Sequence, residues 1–252
     1  MAELRAPLPE HLDWLTSRVE ELVRPGAFLI SSVRKMKRRP YPPLERAPVG
    51  GTHLGAQPDV PLDAPWAACA LQGRGWLEHP EDGESFLAQL NLEDVPAAIR
   101  AQYPRLPSVG LVWVTLDLSN LDSTPWAKAY FDPRAAASIR FAPPRSDALE
   151  PCAAHFVVCD TLSSATPALL PEVASDYEGL CADYDAWAWE HYISRRPGTV
   201  QLGGWLEPIQ GEADEERKTL LMAFERLPYG DSGAVYLHHS EERGFFAFFE
   251  TH

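Results

Sequence analysis

No run of ~18 apolar residues occurs in the 252-residue chain, which excludes a membrane-spanning helix from the reading. The opening "MAELRAPLPEHLDWL" is charged and interrupted by proline, and it lacks the apolar core of an export signal. Cysteine is scarce. Cys69, Cys152, Cys159 and Cys181 show no C-x-x-C spacing, so without export they are expected as reduced thiols, with a Cys152–Cys159 bridge left open. A cytoplasmic protein is the expectation. No G-x-x-x-x-G-K-[ST] or G-x-G-x-x-G motif follows a strand, so nucleotide phosphates find no cradle. His53 and His155 stand alone, and the adjacent pair His238-His239 would point to opposite faces of a strand, so no metal and no cofactor are expected.

Positive charge is also in short supply. The 22 Lys/Arg face 36 Asp/Glu, a net of −14. The balance is uneven: residues 1–50 hold nine basic and six acidic residues, net +3, whereas residues 51–252 hold 13 and 30, net −17. Such a body repels nucleic acid, because phosphate neutralisation by Lys/Arg supplies most non-specific affinity. The basic run from Arg34 to Arg39, "RKMKRR", is the exception and reads as a solvated loop before the proline-rich "YPPLERAP". Acidity also accelerates encounter with a basic protein.

What is present is punctuated apolar pattern. Leu12, Leu15, Val19, Leu22 and Val23 recur at three- and four-residue steps and predict a helix over Pro9–Arg24, stopped by Pro25-Gly26. Strands are expected at "AFLISSV", within "GGTHLGAQPDVP", and at "SFLAQLNL", "GLVWVTLDL", "WAKAYFD", "SIRFAP" and "HFVVCD", with a short helix or turn over Val95–Tyr103. Over Pro171–Tyr192 the period changes. Tyr177, Leu180, Tyr184, Trp187 and His191 form a helical stripe with Asp183 and Asp185 among the acids on the other faces. Strands resume at "TVQLGGW", "TLLMAFE", "GAVYLHH" and "GFFAFFE".

The two ends resemble each other. "THLGAQPDVP" aligns with "VQLGGWLEPI", "SFLAQLNL" with "TLLMAFER", "LPSVGLVWVTLD" with "LPYGDSGAVYLHH", and "WAKAYFD" with "GFFAFFE". The expected architecture is α+β: an internally duplicated, antiparallel sheet structure with a few segregated helices. It is read as a single domain of two repeats, residues 1–135 and 171–252, joined by a segment at 136–170. The alignment bears on the Gly230-Asp231-Ser232-Gly233 sequence, which matches the surroundings of a trypsin-like nucleophile, while "CAAHFVVC" resembles the run carrying the general base. In the first copy Pro107-Ser108-Val109-Gly110 takes the same place, so the shared requirement is a turn before a strand. Gly55, Gly203 and Gly204 belong with Gly110, Gly230 and Gly233 in this backbone role. A nucleophile would also need a base and an oxyanion hole, and only 77 residues separate His155 from Ser232, about half the interval that the two-barrel protease architecture uses.

The ordered set "LGAQPDVPLDAPW", "SFLAQLNLEDV", "LPSVGLVWVTLD", "VQLGGWLEPIQ" and the Tyr-Gly-Asp-Ser-Gly turn resembles the YwqG-like, DUF1963 family over most of residues 50–130 and 195–252. The departures are Ala56 in place of a second glycine, Tyr229 in place of a tryptophan, and no second-copy counterpart of Gln89. The resemblance implies an α+β fold with internal duplication and, by genomic association, members that neutralise toxins. The expected function is a non-enzymatic protein-binding module, an immunity protein directed at a toxin with a basic, nuclease-type surface. Trp187, Trp189, Trp205, Asp183 and Asp185 are its candidate contacts. The alternative is a small-molecule binder or hydrolase in a cleft between the repeats, drawing on Asp231, Ser232 and His238.

Overall fold

The computed structural model describes residues 4–31, 47–54, 58–61, 84–117, 126–133, 138–140, 154–163, 179–206, 219–225 and 233–251. A 3-10 turn, Glu10–Leu15, leads into helix α1, Thr16–Leu22, and buries Leu12, Leu15, Val19 and Leu22 along one side. The expected stop at Pro25-Gly26 is corrected. The helix ends at Leu22, and both residues lie inside strand β1, Arg24–Ser31. Proline disfavours helical backbone in the residue before it, so Arg24 already extends. Pro25 needs no N–H there, because on that side β9 pairs only with Ala27 and Phe28.

The chain continues through β2, His53–Leu54, β3, Asp59–Pro61, and β4, Glu84–Asn91. A 3-10 turn at Leu92–Asp94 and helix α2, Ala97–Arg100, precede β5, Leu111–Asp117, and β6, Trp126–Asp132. Then come β7, Ser138–Arg140, β8, Ala154–Thr161, and helix α3, Leu180–Ala188, which widens into a π turn at Trp189–Ile193. Strands β9, Val200–Leu202, β10, Leu220–Phe224, β11, Gly233–Ser240, and β12, Gly244–Thr251, complete it.

The strands form two antiparallel sheets and a small ribbon, an α+β arrangement. One sheet runs β12-β11-β10-β9-β1-β8, the other β2-β4-β5-β6, and β3 pairs with β7. Their inner faces share one core: Leu87, Ala88 and Leu90 from β4 and Val112, Val114 and Leu116 from β5 meet Ala27, Leu29, Leu202, Met222, Phe224, Val235 and Leu237. Each of the Leu, Val, Met and Phe side chains among them contributes roughly 1.5–3 kcal/mol when removed from water. At one side the edges β6 and β12 lie against each other, with the Phe131 and Phe245 rings 5.0 Å apart. A second, helical cluster gathers Leu8, Leu12, Leu15, Val19, Leu22, Tyr184, Trp187, Ala188, Tyr192 and Trp205.

Four strands in each half follow the same path. β2-β4-β5-β6 and β9-β10-β11-β12 are both antiparallel meanders. Leu54 opposes Ala88 as Leu202 opposes Met222, and Gln89 opposes Trp113 as Ala223 opposes Tyr236. Val112 opposes Phe131 as Val235 opposes Phe249. Both meanders also break register at one place, between Phe86 and Ala88 and between Leu220 and Met222. The extra residue there lets two consecutive side chains, Leu87-Ala88 or Leu221-Met222, join the core despite the two-residue period of a strand.

Candidate functional site

Gly230, Asp231, Ser232 and Gly55 lie outside the described residues. Gly233 opens β11, and a Cβ built on it would sit 2.4 Å from the Phe249 ring and 2.6 Å from the Glu250 carbonyl oxygen. Gly110 stands at the matching place before β5. A Cβ there would sit 2.5 Å from the Phe131 ring and 2.8 Å from the Asp132 carbonyl oxygen, and its φ is +122°. Both glycines are needed because the neighbouring strand's phenylalanine and carbonyl press against the backbone. His155, in the run that resembles the one carrying a protease's general base, is exposed on β8. From β11 to β8 there are four strand spacings in the sheet order, about 19 Å along the sheet, so the imidazole is far from the strand that Gly233 begins.

His238 is buried in β11, its Nδ1 3.1 Å from the Thr219 hydroxyl and its ring stacked on Phe246 at 5.1 Å. Its neighbour His239 points the other way, against Phe245, as alternation in a strand requires. Cys159 and Cys181 are free thiols, while Cys69 and Cys152 lie outside the described residues. Burial pushes the Cys159 thiol up, and a hydrogen bond from Arg5 opposes it. Among the described residues no three His, Cys, Asp or Glu side chains gather to hold a metal ion.

The densest polar chemistry lies on the outer face of β4 and β5, where the pattern showed only a single break in an apolar strand, Gln89. The Gln89 carboxamide donates to the Gly51 carbonyl at 2.9 Å and to Asp59 Oδ2 at 3.1 Å. Its oxygen accepts from the Asp59 amide at 2.8 Å and the Trp113 indole at 2.9 Å. The Asp59 carboxylate also accepts the Gly50 amide at 2.9 Å and lies 3.9 Å from His53 Nε2. Gln89, Asp59, His53 and Trp113 are all fully buried. A histidine beside an aspartate here serves to clamp backbone: the contacts tie the Gly50–Leu54 segment and β3 to β4 and β5.

The second half uses a different residue for a related task. Gln201, buried on β9, donates to the Gly203 carbonyl at 2.9 Å and the Trp205 carbonyl at 2.8 Å. Between them Gly203 and Gly204 take left-handed backbone, φ +63° and +71°. The Gly204 amide donates to Gln102 Oε1, whose amide in turn donates to the Pro25 carbonyl. A Cβ on Gly204 would lie 2.4 Å from Thr161 Oγ1 and 2.9 Å from Gly26 Cα, so three elements meet where only glycine fits.

The expected contact residues divide. Trp187 and Trp205 are corrected: they are only 6% and 9% exposed and belong to the helical core. The Trp187 indole donates to the Pro7 carbonyl, and that of Trp205 to the Leu22 carbonyl beneath the Arg24 guanidinium. Trp187, on the helical stripe, closes the angle between the N-terminal segment and α3, and Trp205 packs the turn after β9 against the end of α1. Trp189 is 59% exposed and Asp183 is exposed, whereas Asp185 is half-buried on the turn with Cys181. Asp183 accepts from His11 Nε2 at 2.8 Å, latching α3 to the 3-10 turn. The reading of the sequence missed Trp14, also 59% exposed. The signal for it was present, since Trp14 falls off the Leu12, Leu15, Val19 stripe, where a large aromatic has no core to join.

No protein-family profile matches the chain, and no curated protein matches it.

Proposed function

We propose that this chain is a non-enzymatic protein-binding module, an immunity protein that neutralises a toxin with a basic, nuclease-type surface. The observation that carries the proposal is charge: 30 acidic against 13 basic residues over 51–252. An acidic surface draws in a basic one at rates roughly 10- to 1000-fold above the uncharged case at low salt, and a nuclease surface is basic because it holds phosphate. The resemblance of the Leu-Gly, Ala-Gln and Gly-Asp-Ser-Gly segments to the YwqG-like, DUF1963 family supports the same assignment. So does the use of buried Gln89, Asp59 and His53 as backbone clamps rather than as groups open to a substrate. The matching strand order and register of the two meanders fit descent from one duplicated unit, which we include in the proposal.

The test is co-expression with the product of the adjacent gene. Co-purification of the two chains, with restored growth of cells producing that product, is expected. Failure of both removes the proposal.

A further inference from the structure

The N-terminal 3-10 turn has three ridges, because its side chains eclipse every third residue. Leu12 and Leu15 form the buried one. Glu10 with Asp13, and His11 with Trp14, form the two that face solvent. Trp14 therefore lies one 3-10 turn along from His11, and its indole N–H donates to the His11 carbonyl at 3.1 Å. His11 is itself held across the layer by Asp183 at 2.8 Å. The ring is thus fixed by its own helix while 59% of its surface stays in water. Among the described residues, Arg18 on the following helix pairs with Glu21 at 3.1 Å.

An exposed tryptophan held in one orientation loses little conformational freedom on binding, which is what an interface anchor needs. The carboxylates of Glu10 and Asp13 on the same turn, and of Asp183 on His11, select the sign of what meets it. We infer that the face of the helical layer centred on Trp14 is the docking surface for the basic protein partner, with a cationic side chain of that partner over the indole and the carboxylates around it. The inference rests on the protein-binding reading and names its surface. Trp189 lies about 120° around α3 from Asp183 and is outside the centre of this face.

The experiment measures association and dissociation of the adjacent gene's product with the full chain. Trp14→Ala is expected to weaken binding about tenfold or more, mainly through faster dissociation. The double variant Glu10→Lys/Asp13→Lys is expected to slow association about tenfold at low salt, an effect that shrinks as salt rises. Trp189→Ala and the remote control Val109→Ala should stay within about threefold of the wild type. Circular dichroism and unchanged melting confirm that each variant is folded. Trp14→Ala and the double variant both binding like the wild type would overturn the surface while leaving the protein-binding reading intact. A wild type that does not bind this product removes both.

Discussion

Gly204 and Gly244 both hold left-handed backbone, φ +71° and +68°, yet their surroundings differ. An added Cβ at Gly204 would strike Thr161 and the Gly26 main chain, whereas at Gly244 it meets nothing within 4 Å. Gly244→Ala should cost about 1–2 kcal/mol, the price of the backbone alone. Gly204→Ala adds a collision with packed main chain and should cost about 2–4 kcal/mol. Urea unfolding midpoints of the two variants separate them, and equal losses would refute the close-approach account. Gln89→Leu belongs at the same scale. It removes the partners of the Gly51 carbonyl and the Asp59 amide in a site closed to water, so about 2–5 kcal/mol is expected from the same measurement.

At the scale of elements, the β11–β12 hairpin carries a pH dependence. His239 packs against Phe245 on the inner side of the hairpin, and burial lowers its pKa from 6.5, with Glu241 opposing. Well above pH 6.5 the imidazole is neutral in both folded and unfolded chains and contributes nothing. As pH falls below that value the unfolded chain takes up the proton first, so stability declines until the folded state also protonates. The melting temperature of His239→Gln should therefore fall less than that of the wild type between about pH 7 and pH 5. Parallel curves would remove His239 as the cause. The loop between α2 and β5 is pinned in another way. Tyr103 donates to the Leu220 carbonyl at 2.8 Å, and its hydroxyl is pushed up to about 12 by burial, so the bond persists through alkaline conditions that ionise an exposed tyrosine.

Across the whole molecule, the sheets do not divide at the boundary that the sequence comparison of the two ends suggests. β1 comes from the first 31 residues and β8 from 154–161, yet both complete the sheet that contains β9–β12. Ala27 and Leu29 of β1 join the core shared by both meanders. A chain beginning at residue 136 would leave β9 without β1 and expose the inner face of the sheet. It should lack cooperative urea unfolding, whereas the full chain should unfold in one transition. A fragment 136–252 with a sharp transition of its own would contradict the shared core.

Much of this was legible because strand and helix periods are local properties. The amphipathic stripe at Leu12–Leu22, the β-branched and aromatic strand run "LVWVTLD", the order of strands at the two ends and the opposed faces of His238 and His239 all follow from local side-chain type and projection. Those features the amino-acid order determined by itself. Which tryptophans would reach solvent was decided only when distant segments met. Trp187 is buried because Pro7 lies over it, Trp205 because Leu22 and Arg24 do, and Trp14 stays exposed because no segment covers its ridge among the described residues. The clamp of Gln89, Asp59 and Trp113 likewise joins residues far apart in the chain. Burial and hydrogen-bond satisfaction depend on what packs across the fold, and periodicity reports only which way a side chain leaves its own backbone.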